Sequence, residues 1–181
     1  MSAREILQAV LASVGDPAGR PRIVAIDGHG GAGKTTIAAE LAASVPDAAV
    51  VHTDDVAWHH SFFGWSDLLI EGVLEPLHRG EAVSYRPPAW AERGREGAIE
   101  VPAGCSLVVV EGTGAARREL MHLVDFVIWI ESDLAEGRRR CLARDGDTQE
   151  ARDFWDEWMR EETPFYADQQ PWLRADLVLS A

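Results

Sequence analysis

The sequence predicts an α/β fold, a five-stranded parallel sheet flanked by helices, on three observations. Five apolar runs of strand length alternate with segments of helical periodicity, the pattern of a doubly wound sheet. The first run ends in a glycine-rich loop that leads straight into helix formers. Carboxylates follow the second run, at Asp54, and close the third, at Glu111; in such sheets the C-terminal strand ends border one crevice.

The elements justify this in order. Ser2 and Glu5 have capping-box spacing, and Ile6, Leu7, Val10, Leu11 and Val14 recur at helical intervals. Gly15-Asp16-Pro17 and Gly19-Arg20-Pro21 then break the chain, so residues 1–20 read as a helix and linker that pack on the sheet. Arg22–Asp27 is the first strand and Ala48–His52 the second. Residues 56–97 are the least regular part, with Trp58, Trp65, Trp90, His59-His60 and Tyr85-Arg86-Pro87-Pro88. Inside them Ser66–Leu77 has helical periodicity, starting from a Ser66 cap and stopping near Pro76. Ala98–Pro102 is a brief extended piece. Leu107–Gly112 and Phe126–Glu131 are the third and fourth strands. Asp133 opens a helix over 133–147 carrying Arg138, Arg139, Arg140 and Arg144. A second, amphipathic helix runs from Asp147 to about Ala167, and Ala175–Leu179 is the last strand. A length of 181 residues suits one domain spanning 1–181.

The charge balance limits the partners. Thirty acidic against 17 basic residues leave a net charge of −13, which argues against a general nucleic-acid binder because that function needs a basic face. Cys105 and Cys141 form no C-x-x-C pair, so a reducing cytoplasm is expected. No apolar run reaches bilayer-spanning length, and no signal peptide is expected at the N-terminus.

The chemistry centres on Gly28-His29-Gly30-Gly31-Ala32-Gly33-Lys34-Thr35, a G-x-x-x-x-G-K-T phosphate-binding loop. Its glycines let successive N–H groups turn inward, and the following helix adds its positive N-terminal end. Gly28, Gly30, Gly31, Ala32, Gly33, Lys34, Thr35 and Thr36 are therefore expected to hold a nucleoside triphosphate. Lys34 reaches the β- and γ-phosphates, and the Thr35 hydroxyl takes a Mg²⁺ position. A glycine-rich turn matching by chance would not need a strand before it and a helix after it. Glu111 ends a Walker-B-like strand, where an acid meets Mg²⁺ and its waters. Asp54 and Asp55 either point into the crevice or cap the next helix. Arg140 and Arg144, an i,i+4 step apart, either neutralise phosphate as part of a lid over 133–147 or lie on a solvated face. The 56–97 region suits an acceptor cover, with Asp55, Trp58, Tyr85, Arg86 and Trp90 as contacts; for each tryptophan alone, ordinary packing competes. His59-His60 could suggest a metal, but adjacent side chains diverge and no third ligand is near.

Taken together, the loop Gly28–Thr35, Thr53-Asp54-Asp55, Val108-Val109-Val110-Glu111-Gly112, the arginine helix ending in Arg144-Asp145, and Ala175-Asp176-Leu177-Val178 resemble the uridine kinase-like branch of P-loop small-molecule kinases, to which pantothenate kinase is related. The resemblance covers most of the chain and implies a P-loop NTPase fold using ATP and Mg²⁺. It implies Asp54 as the base that deprotonates an acceptor hydroxyl, Glu111 as a Mg²⁺ residue, and Arg140 and Arg144 as lid arginines. Asp54 joins Thr35 and Glu111 as an expected metal neighbour. The acceptor side departs from the pattern. Val56-Ala57-Trp58 stands where Phe-Tyr follows the family's acid, Tyr85-Arg86-Pro87-Pro88-Ala89-Trp90 lacks the histidine of the nucleoside-contacting stretch, and Gly146-Asp147 replaces Arg-Gly after the lid. The expected activity is γ-phosphoryl transfer to a hydroxyl of a small molecule, a nucleoside being the family's example. A nucleotide-driven switch is a competing class, without an N-K-x-D or L-S-G-G-Q stretch to support it. A catalytically silent nucleotide binder is another, opposed by the intact Lys34, Thr35, Asp54 and Glu111.

Overall fold

The computed structural model describes residues 1–181. Helix α1 (Ala3–Val14) opens on the expected capping box: the Glu5 N–H donates to Ser2 Oγ, and the Ser2 N–H donates to the Glu5 carboxylate at 2.7 Å. Strand β1 (Arg22–Gly28) follows, then α2 (Lys34–Ala43), β2 (Ala48–His52) and the short α3 (Thr53–Ala57). The linker is pinned where it enters the sheet, because Asp125 accepts from the Arg20 guanidinium twice, at 2.7 Å, and from the Ile23 N–H at 2.8 Å.

The insertion is more ordered than its composition predicts. One continuous helical stretch runs from Ser66 to His78: α4 (Ser66–Leu69), a wide π turn (Ile70–Leu74) and α5 (Glu75–His78). The expected Ser66 cap is corrected: Trp65 occupies the cap position, without a side-chain bond. The helix also passes Pro76 instead of ending there. In the wide turn the Glu75 N–H reaches back to Ile70 O, and the local widening accommodates a residue that has no N–H to give. Strand β3 (Val83–Tyr85), which the sequence did not suggest, pairs antiparallel with β4 (Ile99–Val101), bracketing α6 (Pro88–Glu92).

Strands β5 (Leu107–Glu111) and β6 (Phe126–Glu131), helices α7 (Leu134–Asp145) and α8 (Gln149–Gln169), and β7 (Leu177–Ser180) complete the chain. The five-stranded sheet is parallel throughout, in the order β2-β5-β1-β6-β7. Helix α8 starts two residues later than expected because Thr148 caps it, accepting from the Ala151 N–H at 3.2 Å. Strand β5 ends at Glu111, one residue early: Gly112 leaves the strand at φ +140°, and a Cβ there would collide with Thr53.

Period-2 alternation divides the strands between two cores. Ile23, Ala25, Val108, Val110 and Val127 face the insertion, joined by Trp65, Leu69 and Trp90. Val24, Ile26, Val109 and Ile128 face α1 and α2, meeting Ile6, Val10, Ala38 and Leu41. Ile6 and Val10 are fully buried, each contributing about 1.5–3 kcal/mol, which accounts for α1 as a packing element. Strand β1 sits centrally, with β5 and β6 on opposite sides, so its C-terminal end lies where the strand order reverses. That end is Gly28, the first residue of the loop. No helix is long and apolar enough to cross a membrane.

Candidate active site

The loop is built on a buried carboxylate that the sequence reading passed over. Asp27 is fully buried and accepts from the N–H groups of Gly28 (2.7 Å), Gly114 (2.9 Å) and Ala116 (2.9 Å) and from Tyr166 Oη (2.5 Å). Burial pushes its pKa up, while the Tyr166 hydroxyl and the amides pull it down; four donors converging on two oxygens describe an ionised acceptor. Tyr166, its own pKa held well above the usual phenol value by burial, stays protonated and also donates to Gly28 O at 2.9 Å. From the same helix Glu162, fully buried, accepts from Gly30 N (3.0 Å), Trp158 Nε1 (3.1 Å) and pairs with His29 Nδ1 (2.9 Å). Neither Asp27 nor Glu162 has a local sequence signature, because their partners lie up to 139 positions away.

Two of the loop glycines answer to packing. Gly31 has φ +78°, and a Cβ there would run into the backbone of Gly137 in α7. Gly30 lies against the rings of Trp155 and Trp158. The loop ends at Gly33, left-handed and without a side-chain cap, so the first N–H groups of α2 remain open to an anion. Thr35 and Thr36 are exposed there, whereas Ala32 is buried and packs in the core beneath.

Lys34 is nearly buried, and its Nζ donates to Gly28 O (2.7 Å), His29 O (2.9 Å) and Thr113 Oγ1 (3.3 Å). It is thus folded back on the loop's own carbonyls. Thr35 Oγ1 donates to Glu111 Oε1 at 3.2 Å, joining two of the three expected metal residues directly. His52, which the sequence reading left as a strand residue, places Nδ1 2.5 Å from the same Glu111 oxygen. The hydrogen bond that Glu111 accepts from His52 raises the His52 pKa, which favours an imidazolium. Asp54 and Asp55 lie in the first turn of α3, where acids suit the helix N-terminus. Asp54 opens to solvent, yet protein surrounds its carboxyl closely enough that burial raises its pKa; Lys34 acts in the opposite sense and Glu111 reinforces the rise. No three His, Cys, Asp or Glu side chains form a metal cluster. The oxygen set of Thr35, Glu111 and Asp54 nevertheless suits Mg²⁺, which takes few protein ligands and retains water and phosphate oxygens.

The lid arginines separate. Arg140 pairs with Glu136 at 2.8 Å and brings Nη1 to 3.4 Å from Gly31 O, touching the loop. Arg144 instead pairs with Asp145 at 2.7 Å. It feels the charge of Asp54 but has no hydrogen bond to the loop. The i,i+4 spacing therefore does not make the two equivalent: their acidic neighbours, Glu136 and Asp145, orient them differently.

The acceptor-side expectations need larger correction. Trp90 is buried, and its Nε1 donates to Asp55 O at 2.8 Å. Arg95, not singled out in the sequence, lies 3.5 Å over the Trp90 ring and 5.2 Å from that of Trp58, and its Nη2 is 2.5 Å from Asp55 Oδ1. Exposed Arg86 donates to Arg95 O at 2.7 Å. Asp55, Trp58, Arg86 and Trp90 are thus drawn together, but around Arg95, which uses much of their recognition capacity. Tyr85 is elsewhere, its ring against Gly72 in the wide turn. His59 stacks edge-on with Trp58, while the His60 ring faces Gly64 O at 3.1 Å, so the two rings make different contacts.

The glycine-rich loop at the end of the central strand, the strand-end acid bonded to its threonine and the helix leaning over it sit on one parallel α/β fold. Three solved structures share it. One, described as a "putative fructose transport system kinase" from Silicibacter sp. TM1040, has TM-score 0.70 and 21% identity over 98% of each chain. Another, described as a "Possible Uridine Kinase" from Bacillus stearothermophilus, has TM-score 0.63 and 17% identity, covering 97% of this chain and 99% of that one. The third, D-glycerate 3-kinase from Cryptococcus neoformans var. grubii, has TM-score 0.62 and 15% identity over 87% and 86%. At these identities the likeness is one of fold. No family model matches the chain, and no curated protein matches it.

Proposed function

We propose that this chain, as a single domain over 1–181, is an ATP- and Mg²⁺-dependent kinase transferring the γ-phosphoryl group to a hydroxyl of a small molecule. The observation that carries the reading is the meeting of Lys34, the Thr35–Glu111 pair and Asp54 at the C-terminal edge of one parallel sheet. The N–H groups from Gly28 to Thr36 hold the phosphates, and Lys34 exchanges the carbonyls of Gly28 and His29 for phosphate oxygens. Thr35 and Glu111, with Asp54 beside them, would hold Mg²⁺, whose charge offsets that of the phosphates when bound. Asp54 accepts the proton of the attacking hydroxyl; a carboxyl with a raised pKa is a better base than an ordinary one. Arg140 screens the phosphates from the lid over 133–147, and Arg144 contributes through the field it shares with Asp54. Because the transition state is loose, positioning and charge account for most of the acceleration.

The fold neighbours support a small-molecule acceptor, since their descriptions name a sugar-transport kinase, a uridine kinase and a glycerate kinase. Residues 56–97 form the acceptor side, where a nucleoside, a sugar and a hydroxy acid are the classes to compare. The deciding experiment is an ADP-release screen over these classes, run with wild type, Lys34→Ala and Asp54→Asn. Transfer that depends on both residues supports the reading; ATP binding with no transfer to any acceptor, or full activity in Asp54→Asn, refutes it.

A further inference from the structure

Arg117 is a cation the proposed chemistry leaves unused, and its surroundings are unusual. Its side chain is almost completely buried, with 2% of the residue exposed. One nitrogen, Nη1, donates to Phe63 O at 2.6 Å, while Nε and Nη2 have no hydrogen-bond partner. The guanidinium lies 4.2 Å from the Trp65 ring and 4.8 Å from that of Phe165. The other enclosed arginines are provided for: Arg20 has Asp125, Arg95 has Asp55, and Arg174 donates to the carbonyls of Ala116 and Gln169. Aromatic faces recover part of the cost of burying a charge, but an edge of two N–H directions without an acceptor does not persist without a use.

The position of that edge suggests the use. A Cβ on Gly114 would stand 3.2 Å from Arg117 Nη2. Gly114 follows Thr113, whose hydroxyl is 3.3 Å from Lys34 Nζ. The guanidinium therefore lies beside the buried Thr113–Gly114 turn, whose Thr113 hydroxyl meets Lys34. What covers it is a strap, residues 59–64, without regular structure and with His59 at φ +52°. The strap is held by ring contacts, Phe63 stacking on Phe165 at 4.1 Å and Phe62 meeting Trp158 edge-on at 5.3 Å, and by hydrogen bonds from Trp65 Nε1 to Phe62 O and from Arg117 to Phe63 O. Such contacts can be broken and remade without disturbing a sheet or helix. An anionic group at Nε and Nη2 would satisfy that free edge bidentately, Nη1 keeping Phe63 O as its own partner.

We propose that Arg117 is an acceptor-binding residue that pairs with a carboxylate or phosphate ester on the phosphoryl acceptor, with strap 59–64 opening to admit it. The inference rests on the kinase reading and narrows the acceptor to an anionic alcohol. Burial pushes the Arg117 pKa down, and an anion beside it would oppose that shift.

The test uses the full chain with ADP and Mg²⁺ filling the phosphate loop, so that anions cannot bind there instead. Tryptophan fluorescence, with Trp65 against the guanidinium as reporter, is titrated with D-glycerate, glycerol 3-phosphate and glycerol. A saturable change is expected with at least one of the two anions and not with glycerol, which also separates carboxylate from phosphate ester. The apparent affinity should fall about tenfold or more in Arg117→Met, with ADP affinity and the circular dichroism spectrum unchanged. Should Arg117→Met not fold, Arg117→Lys carries the comparison, raising the KM of the anionic acceptor more than it lowers kcat. No saturable response to either anion, or equal titration in wild type and the Arg117 variants, overturns the proposal. The two readings fail separately. Arg117-dependent anion binding without phosphoryl transfer refutes the kinase and leaves the site standing. Transfer to glycerol as fast as to glycerate, with KM unmoved in Arg117→Lys, refutes the site and leaves the kinase.

Discussion

The two sides of the proposed site, the glycine-rich loop and the side assigned to the acceptor, are built on different materials. On the loop side the functional groups are backbone N–H groups fixed by glycine geometry, with a few side chains at strand ends. On the acceptor side they are long side chains that bind each other: Arg95 stacks on Trp90 and pairs with Asp55, and Arg117 is boxed by Trp65 and Phe165. A backbone cradle offers the same chemistry to any triphosphate. A side-chain cluster has to be rearranged for each acceptor, and so is free to diverge.

The sharpest way to break this contrast is Lys34→Ala, which should lower kcat by about a thousandfold, measured as ADP release with saturating acceptor. Asp54→Asn comes next, with a loss of about a hundred- to ten-thousandfold and ATP binding near wild type by calorimetry. The same variant tests the carboxyl's environment. A raised folded-state pKa stabilises the protein below the unfolded-state value, and that contribution is lost as pH rises through the folded-state value. At neutral pH the wild type has lost it and the asparagine variant carries no charge, so Asp54→Asn should melt higher at neutral pH, with the advantage vanishing below the ordinary carboxylate range. In the wild type kcat/KM should fall toward acid pH, with its midpoint above that of an ordinary aspartate.

Smaller effects separate the two sides. Arg95→Ala should raise the acceptor KM while leaving the ATP KM unchanged, and cost about 1 kcal/mol in urea unfolding, since the pair is partly exposed. An equal rise in both KM values would show that the two sides are coupled through this cluster. Ser2→Ala, far from the crevice, should lower Tm slightly by removing the α1 cap and leave kcat unchanged.

The contrast also explains what could be read from the chain. Gly28–Thr35 is legible because spacing, glycine geometry and flanking elements are all local, and Glu111 because a buried strand announces its end. All five strands of the main sheet were visible as apolar runs, with boundaries moved by one or two residues, as where Gly112 turns or Leu177 enters the sheet. Asp27, Glu162 and Arg117 were not legible: each is an ordinary polar residue until a partner distant in sequence arrives. Strand β3 escaped because three residues beside prolines carry too little pattern. Trp90 and Asp55 were singled out, but that they meet each other across 35 positions, and that Asp55 pairs with Arg95 across 40, has no local signal.

Helix α8 has a consequence for how such a chain can change. Trp155, Trp158, Glu162, Phe165 and Tyr166 recur at steps of three and four along it, one stripe that touches Gly30, His29, Asp27 and the strap ring Phe63. A single residue inserted within it, between Trp158 and Glu162, would rotate one half of the stripe against the other by about 100°, so that the two halves could no longer make these meetings together. Substitutions along the stripe can be absorbed one by one, but its length in residues is a ruler that cannot be re-marked, so insertions and deletions should be confined to the Gly146–Asp147 turn before it.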